Sequence, residues 1–231
     1  MPALASAAPS SVREDLQARI QNMQATRLDE RSLPTLPALR ALLPGGLRQG
    51  AAYSVTGSTT LAMALLAGPS AQGAWCGVLG MPDFGTEAAS RLGIDLGRLV
   101  LVPTPAGQWL TVAAAMTDVL SVVIARAPAR VAPAETSRLG ARLRQRGSTL
   151  VVLGDWPGAD ATLTVVGNSW RGLGEGYGYL STRQLEVEVS GRNGMHQARR
   201  RWLAFPLEES EASGFPELRS VDSRSVDSRA G

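Results

Sequence analysis

Residues 50–66, Gly-Ala-Ala-Tyr-Ser-Val-Thr-Gly-Ser-Thr-Thr-Leu-Ala-Met-Ala-Leu-Leu, hold the clearest chemical potential in the chain: a strand, a tight glycine turn and a helix start. In that layout, backbone N–H groups at a helix N-terminus cradle phosphates while a lysine reaches the outer ones. Aligned to G-x-x-x-x-G-K-[ST] with Gly57 as the second glycine, the chain has Ser58 in the lysine position and Ala52 where the first glycine belongs. With Gly57 as the first glycine, only Ser58 separates it from Thr59. All 23 basic residues are arginine, so no other loop supplies the missing ammonium. Gly57, Ser58, Thr59 and Thr60 therefore read as a degenerate nucleotide loop. Its hydroxyls are helix N-cap candidates rather than nucleophiles, since no base is evident nearby.

The remaining candidates are arginines and aromatics. Arg138, Arg142 and Arg146 recur at i, i+4 and i+8 with Arg144 nearby, opposite Leu139 and Leu143. They read as a solvated helix face favourably placed near a helix C-terminus, with a phosphate-contacting surface as the alternative. Arg199, Arg200 and Arg201 fall on an expected strand. The pair Asn193-Gly194 is a two-residue hairpin signal, which sets Glu188 opposite Arg199 and Glu186 opposite Arg201 and leaves Arg200 without a carboxylate partner. Trp170 and Arg171, followed by Tyr177 and Tyr179, interleave aromatics with a cation in an expected loop; stacking on single-stranded bases and core packing are both open. Trp170 and Arg171, with Arg199, Arg200 and Arg201, are the candidate nucleic-acid contacts, Arg200 being the better of the three arginines. One cysteine, Cys76, excludes an internal disulfide and reads as a small buried hydrophobe, while the single histidine, His196, has no second ligand at metal spacing. No metal or cofactor is expected.

These residues must be positioned by a fold. Apolar runs at 51–55, 74–79, 99–102, 121–125 and 149–153 alternate with helical patterns at 60–66, 85–92, 108–120 and 134–146. Strands alternating with helices, each nearly continuous in Val and Leu, predict an α/β fold with a mostly parallel sheet flanked by helices. After Asp155 the pattern turns strand-rich, at 162–166, 185–190 and 199–203, predicting a C-terminal antiparallel hairpin. A short helix at 36–43, with Pro37 in its first turn, precedes the core.

The ends differ in character. Ser11 to Glu14 fits a capping box, and Val12, Leu16, Ile20 and Met23 line one face of the helix that follows, a stripe read equally well as packing on its own domain or docking on a partner. From Leu207 the chain turns acidic, then repeats Ser-Val-Asp-Ser-Arg, and is not expected to fold alone. The division expected is an N-terminal amphipathic helix and linker at 1–32, a core at 33–206 and a disordered tail at 207–231. A formal charge of +3 argues only weakly for nucleic acid. No apolar run approaches the ~20 residues that cross a bilayer, so a cytoplasmic protein with no membrane partner is expected.

Three motifs in order resemble the RecA recombinase core: Leu42-Leu-Pro-Gly-Gly-Leu-Arg-Gln-Gly50 before the first strand, Gly57-Ser-Thr-Thr-Leu61 after it, and Arg91-Leu-Gly-Ile-Asp-Leu-Gly-Arg-Leu-Val100 after the second. Within that superfamily the Gly191-Arg-Asn-Gly194 turn and the Arg199-Arg-Arg-Trp-Leu203 strand look similar to the short RecA-like accessory proteins of the ImuA type, particularly the actinobacterial ImuA-prime form. The resemblance implies a RecA-like core serving DNA-damage-induced mutagenesis in the SOS response, as a non-catalytic adaptor in translesion synthesis. Its implied partners are ImuB, an inactive Y-family polymerase homologue, and, through ImuB, an error-prone C-family polymerase. Self-association and single-stranded DNA are further implied contacts, and a cell-division inhibitor of the SulA type is the alternative. The family ATPases carry a lysine, a carboxylate after the second strand and a metal-site aspartate ending the fourth. Here these fall at Ser58, at Met81 or Pro82, and at Ala125, with Asp83 close to the second position. A pseudo-ATPase is therefore expected.

Overall fold

Val- and Leu-rich strands need apolar layers on both faces, and the computed structural model, which describes residues 32–171, 182–191 and 199–205, supplies them. After a two-stranded antiparallel ribbon, β1 (Ser32–Leu33) with β2 (Leu47–Arg48), that brackets the short helix α1 (Pro37–Arg40), the chain builds one eight-stranded sheet. Its strands are β3 (Ala52–Thr56), β4 (Cys76–Leu79), β5 (Leu99–Val102), β6 (Val122–Arg126), β7 (Thr149–Leu153), β8 (Ala161–Arg171), β9 (Thr182–Gly191) and β10 (Arg199–Phe205). They lie in the order β10-β9-β8-β3-β7-β6-β4-β5. From β8 to β5 every pairing is parallel, whereas β9 runs antiparallel to both β8 and β10. The expected class, a mostly parallel sheet flanked by helices with an antiparallel C-terminal hairpin, is the one observed.

Helix α2 (Thr59–Ala71) is apolar on all sides, and such a helix has to be buried. Leu61 through Ser70 are all buried, packed between the sheet and the 33–47 segment. That closeness demands Gly68, where a Cβ would lie 2.4 Å from the Pro34 carbonyl oxygen. Helices α4 (Trp109–Val119) and α5 (Pro133–Arg146) cover the opposite face, their Trp109, Ala113, Met116, Leu139 and Leu143 closing over Leu79, Val123, Leu150 and Val152. The short α3 (Thr86–Arg91) joins β4 to β5 and buries Ala89.

The C-terminal strands differ from expectation in two ways. Arg200 lies opposite Glu188, Trp202 opposite Glu186 and Leu203 opposite Leu185, one residue off the register that an Asn193-Gly194 turn sets. Burial explains the shift. In the observed register Leu203 and Phe205 join the buried face of Leu185, Val187 and Val189, whereas the two-residue turn sets Leu203 opposite Gln184 and sends it to the other face. In addition, β8 continues past residue 166 through a bulge between Val165 and Gly167, so Trp170 belongs to a strand and not to a loop.

Candidate functional site

In an open parallel sheet the crevice at the carboxyl ends of the strands is where loops can meet a ligand. The loop after β3 starts there with Gly57 at φ +87°, a left-handed conformation that glycine adopts freely. A Cβ on Gly57 would lie 3.1 Å from Cβ of Val165, so the turn is packed directly on β8. Ser58 is extended at φ −157°, and its Oγ accepts the Leu61 N–H at 3.2 Å, the N-cap role expected of it. Thr59 opens the helix. Thr60 accepts a long hydrogen bond, 3.4 Å, from Nη1 of Arg183 on β9. Arg183 also donates from Nε to Oδ1 of Asn168 at 3.1 Å and lies 5.4 Å from the ring centre of Trp170, within cation–π range. A guanidinium thus reaches the start of α2 from a strand 123 residues away, flanked by a tryptophan that is half exposed.

The expected acidic positions are apolar, with Met81 and Ala125 buried and Pro82, the alternative to Met81, exposed. Met81 is 2% exposed and packs in the α2-side core, and Ala125 is fully buried in the cluster with Leu79, Trp109 and Val152, where a carboxylate would be desolvated. The adjacent charges neutralise each other. Arg126 donates to both oxygens of Asp83, at 2.8 and 3.3 Å, and these hydrogen bonds hold the Asp83 carboxyl below the usual carboxylate range. The Arg126 carbonyl in turn accepts the Trp109 indole N–H at 2.9 Å, and Trp109 stacks obliquely on Trp156 with ring centres 5.8 Å apart. Ion pair and tryptophans together close the ends of β4 and β6. Asp83 thus lies in an ion pair at the protein surface, with its side chain about two-thirds exposed. Among the described residues, no three His, Cys, Asp or Glu side chains gather closely enough to hold a metal ion, and no helix is long and apolar enough to cross a membrane.

The arginine and aromatic candidates do not form one surface. Arg200 was expected to lack a partner; instead it donates to Oε2 of Glu188 at 2.9 and 3.3 Å and lies 3.8 Å from Glu186, because the register places it between them. Arg199 and Arg201 lie opposite Val189 and Val187 and not opposite glutamates, reversing the expected pairing, and all three arginines are exposed. Trp170 pairs across the ladder with Arg183, six residues along β9 from the Val189 that faces Arg199, or roughly 20 Å at ~3.4 Å per residue. Arg171 pairs with Thr182 at that same distant end. On α5, Arg142 and Arg146 converge on Asp118 of α4, the first through both its oxygens. The Arg142 hydrogen bond, foremost, holds the Asp118 carboxyl below its ordinary range. Cys76 is buried, and burial pushes its thiol up to about 11. Val12, Leu16, Ile20, Met23, Tyr177, Tyr179 and His196 lie outside the described residues.

Arg183, Arg126 and Asp118 are the contributors that sequence reasoning did not single out. Arg126 directly follows the lost acidic position and was within reach; Arg183 and Asp118 meet their partners only through the fold.

Fold and site define an α/β protein with a strand–turn–helix at the carboxyl edge of its sheet, built like a phosphate loop but capped by its own serine. The chain belongs to the family described as the MT3502 N-terminal domain, whose model matches residues 41–158, about half of the chain, from the end of α1 to just past β7. A relative in Mycobacterium tuberculosis, the uncharacterized protein Rv3395c, is 32% identical over 163 residues, covering 65% of this chain and 80% of that protein.

Proposed function

We propose that this protein is a non-catalytic, RecA-like adaptor of the ImuA type, in its actinobacterial ImuA-prime form, acting in the cytoplasm in DNA-damage-induced translesion synthesis. It bridges an ImuB-like inactive Y-family polymerase homologue and, through it, an error-prone C-family polymerase. The observation that carries the reading is the joint loss of the ATPase parts: Ser58 caps its own helix, Met81 and Ala125 are buried apolar groups, and Asp83 is held by Arg126. Phosphoryl transfer needs phosphate grip, metal and base together, so a scaffold that lacks all three serves by presenting surface. The mycobacterial relative is consistent with an actinobacterial family. Co-purification with an ImuB-like protein from DNA-damaged cells tests it. Association that depends on residues 1–30 or 206–231 supports the adaptor and its contact segments; filamentation on expression, with normal mutagenesis in its absence, points instead to a division inhibitor.

Single-stranded DNA contact is a second reading, favoured by the half-exposed Trp170 held by Arg183 at the sheet end. It requires steeply salt-dependent binding that falls when Trp170 is replaced by alanine.

A further inference from the structure

A strand bonds to each neighbour through alternate residues, so a strand at the edge of a sheet leaves every second N–H and C=O pointing outward. Strand β5 is one edge of this sheet, and among the described residues no strand pairs with its outer side. The Gly80 N–H donates to the Val102 carbonyl at 2.9 Å, which aims the backbone groups of Val102, and of Val100 two residues before it, inward at β4. Those of Leu99 and Leu101 therefore face out. The side chains are apolar on both faces of the strand. Leu99 and, by alternation, Leu101 stand on the α2 side, Leu101 at 41% exposure, while Val100 and Val102 pack on the α4 side.

Edges that stay solitary are guarded by charge, proline or a bulge. The opposite edge, β10, has that protection in Arg199, Arg200 and Arg201. Strand β5, Leu-Val-Leu-Val, has none, and Leu96 just ahead of it is 44% exposed. The unguarded edge also fits itself. Opposed residues of an antiparallel pair share a face, so two copies of β5 that meet about a two-fold axis set apolar against apolar on both sides. With the axis at Val100, Leu99 lies opposite the second copy's Leu101 and exchanges both hydrogen bonds with it, so every outward N–H and carbonyl of β5 is satisfied. Val100 then faces the second copy's Val100 as a close pair without hydrogen bonds, Cα atoms about 4.5 Å apart. An axis at Leu101 instead sets Pro103, which has no N–H, against the second copy's Leu99 and leaves the Leu99 carbonyl without a donor.

We propose that two copies of this chain associate edge to edge through β5, antiparallel about a two-fold axis at Val100, so that their eight-stranded sheets run on as one. The contact rests on the fold and is independent of the adaptor reading. It is a closed arrangement: once the two β5 edges are paired, the edges left at the ends are the arginine-guarded β10 strands.

Sedimentation velocity on the full chain over a concentration series tests it. The mass should rise from the 24.3 kDa of one chain toward twice that value and no further. Leu101→Lys puts a charge on the exposed edge position and should hold the mass at one chain throughout, with an unchanged thermal midpoint in dilute solution as the check on its fold. Single cysteines read the register. Val100→Cys brings two thiols within disulfide reach and should link the pair under mild oxidation. Leu101→Cys should not, because its copy lies two residues away along the pair, roughly 7 Å at ~3.4 Å per residue, in addition to the strand spacing. Cys76 is buried and takes no part. A parent protein that stays a single chain at every concentration overturns the proposal. So does association that Leu101→Lys leaves intact, linkage at Leu101→Cys in preference to Val100→Cys, or a mass that climbs past two copies, the signature of an open-ended contact between β5 and β10.

Discussion

If residues 57–60 form a packed structural turn, replacing Gly57 by alanine must damage the fold. Two terms add. Holding an L-residue near φ +87° costs roughly 1–2 kcal/mol. The new Cβ would also lie 3.1 Å from Cβ of Val165, inside the ~3.5–4.0 Å optimum for carbon pairs, and overpacking of that kind costs about 1–3 kcal/mol. A destabilisation of about 3 kcal/mol follows, which for a chain of this size lowers the thermal midpoint by about 6–12 °C. Equilibrium unfolding in urea, monitored by tryptophan fluorescence, measures the first quantity and calorimetry the second. Val165→Gly in the same background separates the terms: it removes the Cβ in contact but leaves the backbone strain, so the double-mutant cycle shows a compensating coupling of about 1 kcal/mol and not the whole loss. A Gly57→Ala protein within ~0.5 kcal/mol of the parent, the range of ordinary surface changes, would refute the packed-turn account.

Three further outcomes follow. The folded-state pKa of Asp118 lies below its unfolded value, so its pairing stabilises the protein above about pH 4, the ordinary aspartate range, and that stabilisation is lost as pH falls through the lowered folded value. Asp118→Asn should therefore be less stable than the parent at neutral pH, with the two unfolding curves converging on acidification. Cys76, with its thiol raised to about 11, should resist iodoacetamide at pH 8 in the native protein and react once the protein is unfolded in guanidinium. Arg126→Ala frees the Asp83 carboxylate but leaves Ser58 and Ala125 in place, so it should create no ATP turnover; appearance of turnover would show that the ion pair alone blocks an otherwise competent site.

The central sheet was legible because its chemistry is local. The strands at 99–102 and 149–153 match the expected bounds residue for residue, since unbroken Val and Leu runs between turn residues read as strands, although only 149–153 is buried on both faces and 99–102 is the edge strand with Leu101 exposed. The helix after the loop extends to Ala71, beyond the expected 66, because Gly68 and Pro69 fit its last turns against Pro34. The hairpin was misread where a turn signal and the burial pattern disagreed: Asn193-Gly194 named a register, and the apolar faces of Leu203 and Phe205 overruled it. The loop at 57–60 was readable as a degenerate phosphate turn with a serine cap. Its closure by Arg183 was not, because nothing local to that strand says which end of which helix it will meet.

The most direct measurement for the proposed non-catalytic role is a thermal unfolding scan with and without magnesium and ATP, accompanied by an assay for phosphate release. A ligand at one hundred times its dissociation constant adds ~2.7 kcal/mol of stability, or about 5–11 °C for a protein of this size. The account predicts no shift and no release at millimolar nucleotide. A rise of several degrees that needs both magnesium and ATP would contradict it.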